Sequence, residues 1–331
     1  MAPRSVTPQS MPKYLITIFQ TLPPILIAIF LIQIFLHCIS LEHLWKIHFS
    51  APCEGEEIVS LIRRPKNKST DLMNIHVFIY KILASLITPT VSMLFNNSVN
   101  EGIFPKCFKT AKIIPILKSV DSNSTANYRP IFMLPFLSKM LEKLMCARLG
   151  SYLKSSNILC PNQFGFRKIS NTSDAIIEFL DHVYSSLEKK PSTIAVYLDF
   201  STAFDTVNHG ILMSKLQHNG ISGVMLSWFK SYLNNIKQSV SVKNSSSFMS
   251  NITLGVPQGS VLGQVLSLLY INDMHRSSDQ MRFTYLADDT TVFASDSDIN
   301  NVHATVNREL VGVDNWLKAN NFLSTSVKLH I

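Results

Sequence analysis

Residues 193–200, TIAVYLDF, constrain the fold more than any other stretch of the chain. The run is mostly apolar and rich in β-formers and follows Pro191, the pattern of a short strand buried within a sheet. Asp199 near its end is costly to bury unless something positive compensates it. Residues 281–295, MRFTYLADDTTVFAS, read as two more short strands joined at Asp288 and Asp289. Adjacent carboxylates repel each other, and a divalent cation would relieve both penalties, since hard cations prefer carboxylate oxygen. Two such ions about 3.5–4 Å apart could activate a hydroxyl and steady a pyrophosphate leaving group. Asp-Asp is also ordinary turn chemistry, so these residues alone leave both readings open.

Charge is distributed unevenly. Lys and Arg number 30 against 22 Asp and Glu, a formal charge of +8. Residues 101–150 hold eight cations and three anions, a net of +5, whereas 251–300 hold two and six, a net of −4. The first window could attract phosphate and the second divalent cations, although ordinary solvated surface is the plainer reading of the counts alone. Five cysteines (38, 53, 107, 146 and 160) with no CxxC pair argue against a disulfide framework and a zinc site.

Helical spacing of apolar residues recurs over 82–99, around Pro89, over 134–153, where Leu137, Leu141, Leu144, Met145 and Leu149 share a face, and over 174–188. Helices outnumber strands and do not alternate with them regularly, which predicts an α+β fold. The N-terminus differs from all of this. Tyr14 to Leu41 carries 28 residues without a charge, and Arg4 and Lys13 before it would favour a cytoplasmic N-terminus. Pro23 and Pro24 interrupt that stretch, so residues 14–39 are a candidate transmembrane segment with an apolar leader or buried helix as the alternative.

Residues 255–260, GVPQGS, form a shaped loop before an apolar helix that Ser260 can cap. Such a loop is common as a plain connection and becomes specific through its company. The strings NYRPIFMLPFLSKMLEKLM (127–145), NQFGFRK (162–168), LDFSTAFDTVNHGIL (198–212), GISGVMLSWFKSYL (220–233), GVPQGSVLG (255–263), LLYINDM (268–274) and ADDT (287–290) follow one another in order. Together they resemble the successive blocks of the non-LTR, LINE-type retrotransposon reverse transcriptases, especially the jockey-like group, from near residue 50 to the end.

The resemblance implies a right-hand polymerase with fingers and palm, an antiparallel palm sheet flanked by helices, copying RNA into DNA from a primer 3′-hydroxyl with dNTPs. It implies fingers and N-terminal palm over 51–190 and palm over 191–331, behind a leader at 1–50, with the reverse transcriptase domain itself over about 105–331. Asp199, Asp288 and Asp289 would be the catalytic carboxylates holding two Mg²⁺ ions, with Mn²⁺ as the alternative. Phe204 matches an aromatic gate that leaves no room for a ribose 2′-hydroxyl, although core packing is its plainer reading. Gln258 matches a glutamine lying against the incoming nucleotide and template. Lys118 and Arg129 fall where cations meet the triphosphate, with Lys112 a competitor for Lys118; Lys328 matches a lysine assisting the leaving pyrophosphate. Arg167 would touch template backbone or be a solvated cation. The implied partners are RNA template, DNA primer and dNTPs, with a membrane only through residues 14–39 and no specific protein partner. The implied location is nuclear or cytoplasmic, or membrane-associated if that segment inserts.

Several positions depart from the family pattern. Leu286 stands where Phe or Tyr is usual, Gln264 where Pro is usual, Ser267 where a large apolar residue is usual and Phe132 where a small Ser is expected. STDLMNIH (69–76) replaces a Gly/Pro-containing turn. No thumb block and no endonuclease are recognisable, so the expectation is a truncated copy. Its alternatives are an inactive remnant that still binds nucleic acid, and a membrane-tethered palm remnant.

Overall fold

The computed structural model describes residues 52–330 except 67–70, 74, 119–120, 122, 168–169, 188–191, 201–203, 243–244, 288 and 323–326. In chain order the first elements are α1 (Gly55–Arg63), α2 (Val77–Ile82), α3 (Ala84–Glu101), β1 (Thr110–Leu117), β2 (Tyr128–Met133), α4 (Phe136–Ser155), α5 (Thr172–Leu187) and β3 (Ser192–Phe200). There follow α6 (His209–His218), α7 (Gly223–Leu233), β4 (Ile236–Val242), β5 (Ser245–Ser246), β6 (Ser250–Ile252) and α8 (Val261–Ile271). The last are β7 (Arg282–Leu286), β8 (Asp289–Asp296), α9 (Ile299–Ala319) and β9 (Val327–His330). They form two compact units interleaved in sequence, Met1–Met145 with Ile221–Thr253 and Cys146–Gly220 with Leu254–Ile331.

The first unit packs helices beside a small sheet. Trp228 of α7 stacks on Tyr232 at 5.8 Å, and Phe104 meets both rings edge-on. The Trp228 indole N–H donates to Ser98 Oγ at 3.0 Å, so the one polar atom of this buried ring is satisfied. Asp71, within the departed turn, is buried and accepts from the Met73 and Ile75 N–H groups and the Tyr80 hydroxyl, all at 2.9 Å, and from the Phe136 N–H at 3.3 Å. One carboxylate thus organises a turn where Gly and Pro were expected. In the sheet, β1 pairs antiparallel with β2 and parallel with β4, which also carries β5 and β6. Phe132 completes a cluster with Ala111, Ile113 and Leu134, so the larger ring fills core rather than crowding a turn.

The second unit is built on a four-stranded antiparallel sheet in the order β7-β8-β3-β9. The apolar run at 193–200 becomes β3, paired on both sides, with Val196 fully buried. Helix α5 packs Phe179 on Phe293 of β8 at 5.1 Å. Helices α6 and α8 pack on each other, and Leu212, Leu216, Leu262 and Leu266 on them are fully buried. Ser260 caps α8 by accepting from the Gly263 N–H at 3.0 Å, Gln264 is exposed, and Ser267 is buried. Among the described residues no helix is long and apolar enough to cross a membrane; the stretch 14–39 lies outside them.

Candidate active site

Register puts two carboxylates side by side. Asp199 near the end of β3 lies opposite Asp289, the first residue of β8, and opposite Lys328 on the other flank in β9. Directly opposed residues on neighbouring antiparallel strands share a sheet face, so the Asp199 and Asp289 side chains emerge together. Asp199 is half-buried and Asp289 exposed. Asp288 lies outside the described residues, and among those described no three His, Cys, Asp or Glu side chains converge as a metal-holding group. The two carboxylates that are described are hard oxygen donors on one face, the donor type a Mg²⁺ ion takes.

The hairpin presenting Asp289 is tight. Leu286 pairs with Asp289, so only residues 287 and 288 connect β7 to β8. Ala287 has φ +61°, the left-handed value that a two-residue hairpin loop demands and a side chain resists. The segment around Gln163 lies along this hairpin. Gln163 pairs with Tyr285 in a parallel bridge, the Phe164 N–H donates to Tyr285 O and the Tyr285 N–H to Asn162 O, each at 2.9 Å. The Asn162 side chain adds a bond to Phe283 O at 3.0 Å. Burial pushes the Tyr285 hydroxyl far above its ordinary pKa, so it stays protonated beneath the hairpin.

Two loops meet beside the strand end. The Val256 N–H donates to Phe204 O at 2.7 Å, and the Gly255 N–H to Val207 O at 2.8 Å. Gly255 has φ +83°, and a Cβ there would stand 2.8 Å from the carbonyl oxygens of Phe204 and Asp205, so only glycine lets the loops close. The Gln258 amide donates to Asp205 Oδ2 at 2.8 Å, and the Phe204 ring meets Phe166 edge-on at 6.2 Å. Arg167 turns inward: its Nη1 donates to the carbonyls of Cys160, Pro161 and Gln163, the last at 3.0 Å, closing its own loop.

Lys118 and Arg129 belong to the first unit. The Lys118 N–H donates to Asn127 O at 2.7 Å, and Arg129 lies opposite Ile116, so the β1–β2 pairing holds both exposed residues at one end of the sheet. Lys112 lies opposite Met133 at the other end. Gln163, Gly165 and Asp205 were not singled out from sequence; each lies inside a block read there as a string, and their contacts span long sequence separations.

Residues 116–330 match the sequence pattern of the family described as reverse transcriptase (RNA-dependent DNA polymerase). The chain belongs to the reverse transcriptase family. It is 34% identical over 228 residues to a probable RNA-directed DNA polymerase from transposon BS of Drosophila melanogaster, covering 67% of this chain and 25% of that protein. It is 32% identical over 251 residues to the RNA-directed DNA polymerase from mobile element jockey of Drosophila funebris, covering 74% of this chain and 26% of that one. This reverse transcriptase domain thus spans about a quarter of the length of those two relatives. An apo telomerase structure from Candida tropicalis aligns with a TM-score of 0.47 at 12% identity over 67% of this chain and 50% of that one; the family assignment does not rest on it.

Proposed function

We propose that the chain is the RNA-directed DNA polymerase domain of a non-LTR retrotransposon, extending a primer 3′-hydroxyl with dNTPs on an RNA template. The observation that carries this reading is the in-register opposition of Asp199 and Asp289 in a chain of this family. In this reading the four-stranded antiparallel sheet is the palm of a right hand, within 191–331, and residues 51–190 supply fingers and the start of the palm.

Asp199, Asp288 and Asp289 would hold two Mg²⁺ ions, or Mn²⁺. Bound there, the ions supply the positive charge that favours an ionised 3′-hydroxyl and a pyrophosphate leaving group. The chain's own groups do the rest. Arg129 grips phosphate oxygens bidentately and Lys118 adds a point charge, so the triphosphate is held before reaction. Phe204 occupies the space a 2′-hydroxyl would need; Gln258 lies against the incoming nucleotide and template. Lys328, at the register position beside Asp199, assists departure of pyrophosphate. Arg167, with Nη1 committed to its loop, reaches template backbone through its remaining N–H groups.

Primer extension by the full chain on poly(rA)/oligo(dT), beside Asp288→Ala/Asp289→Ala, tests the reading. Incorporation by the unaltered chain alone is expected. Equal incorporation by both, or none by either, would overturn catalysis by this chain and leave the inactive remnant.

A further inference from the structure

Gln163 makes more bonds to one residue, Ala287, than its place in a loop requires. It is 3% exposed, and its Oε1 accepts from the Gly165 N–H at 2.7 Å and from the Ala287 N–H at 3.1 Å, while Nε2 donates to Ala287 O at 3.4 Å. One side chain therefore grips both the N–H and the C=O of Ala287. That residue holds the left-handed conformation of the hairpin, which a non-glycine residue adopts only when its surroundings impose it. Gly165 presses against the same spot, where a Cβ would come within 2.5 Å of Ala287 Cα. Nothing in the mechanism above needs a buried glutamine here, and a hairpin of two connecting residues would ordinarily leave such a peptide to solvent.

We propose that Gln163 is a positioning residue, which clamps Ala287 in its left-handed conformation and so fixes the hairpin that presents Asp289 opposite Asp199 for divalent-cation binding. This rests on the reading of those carboxylates as cation ligands. The clamp works through the backbone: the amide group of Gln163 supplies an acceptor and a donor at the two ends of one residue, a pairing no apolar side chain of that volume can reproduce. Because the strain it opposes is steric, glycine at 287 would remove the need for it.

Mn²⁺ titration followed by electron paramagnetic resonance tests the proposal on the full chain without primer, template or nucleotide. Gln163→Met, similar in volume, is expected to weaken Mn²⁺ binding about tenfold, the scale seen when a group that orients metal ligands is lost. Gln163→Met with Ala287→Gly is expected to recover to within about threefold of the unaltered chain. A packing role alone would lower the melting temperature with no recovery from the change at 287, and that result overturns the proposal, as does unchanged Mn²⁺ affinity in Gln163→Met. Should Gln163→Met not fold, hydrogen exchange in the unaltered chain decides: a protected Ala287 amide supports the clamp, and an amide exchanging as freely as an open loop overturns it. Failure of primer extension with this ordering of Mn²⁺ affinities intact would defeat the polymerase reading and support the positioning role.

Discussion

The Gln258 side-chain amide donates to the Asp205 carboxylate at 2.8 Å, tying the loop before α8 to the loop that follows β3. The bond is solvent-exposed, so its contribution to folding is small, about 1 kcal/mol or less. Its consequence lies in where Gln258 points. If Gln258 lies against the incoming nucleotide, Asp205→Ala is expected to raise KM for dNTP by about fivefold, because the glutamine would then have to be ordered by the nucleotide. Steady-state incorporation at varied dTTP checks this.

Phe204 stands in the same loop with its ring against Phe166. If the ring excludes a ribose 2′-hydroxyl, a smaller side chain should admit it. Phe204→Val is expected to raise incorporation of ribonucleotides relative to deoxyribonucleotides by about 10- to 100-fold, the range a change in pocket volume of this size commands. Competition between rUTP and dTTP measures the ratio.

Tyr270 joins three parts of the second unit. Its hydroxyl accepts from the Asn208 N–H at 3.3 Å and donates to Asn320 O at 2.6 Å, while its ring packs on Phe322, which also touches Phe200 beside Asp199. Burial raises its pKa, so the hydroxyl remains a donor at neutral pH. Tyr270→Phe leaves both partners short of a bond and is expected to cost about 1–3 kcal/mol, read from urea denaturation.

His182 of α5 lies within 3.2 Å of Ser295 Oγ, which also meets Thr193 Oγ1 at 2.7 Å. Burial first, and Arg282 second, hold its pKa below the ordinary 6.5, against the opposite pull of Glu178 and Asp181. The folded chain therefore binds this proton less readily than the unfolded chain. Stability is retained above pH 6.5 and falls as the pH drops from there through the lower folded-state value. Melting temperatures across that window should fall less steeply in His182→Phe than in the unaltered chain.

Strand β3 and the β7–β8 hairpin were legible because each is a run of β-formers ending at a carboxylate or a tight turn, and α4 because Leu137, Leu141, Leu144 and Leu149 repeat at helical spacing. Strands β1 and β2 were not, because Pro115 and Pro130 sit inside them. The two prolines lie directly opposite each other, and β1 pairs with β4 only as far as Ile113, so neither missing N–H falls where that neighbour needs one. The grip of Gln163 on Ala287 was hidden for another reason: it joins residues 124 apart in sequence, and no local pattern marks it. Arg167 read as a template contact or a solvated cation because sequence does not show that its own loop would curl back to meet it.

In the proposed reaction Asp199 and its neighbours hold the cation on which nucleotide transfer depends. Mg²⁺-dependent incorporation of dTTP on poly(rA)/oligo(dT) by the full chain, compared with Asp199→Asn at equal protein and matched melting temperature, tests it most directly. Asn keeps the shape and removes the charge, so incorporation should fall by about 1,000-fold or more. Incorporation by Asp199→Asn equal to that of the unaltered chain would contradict the account.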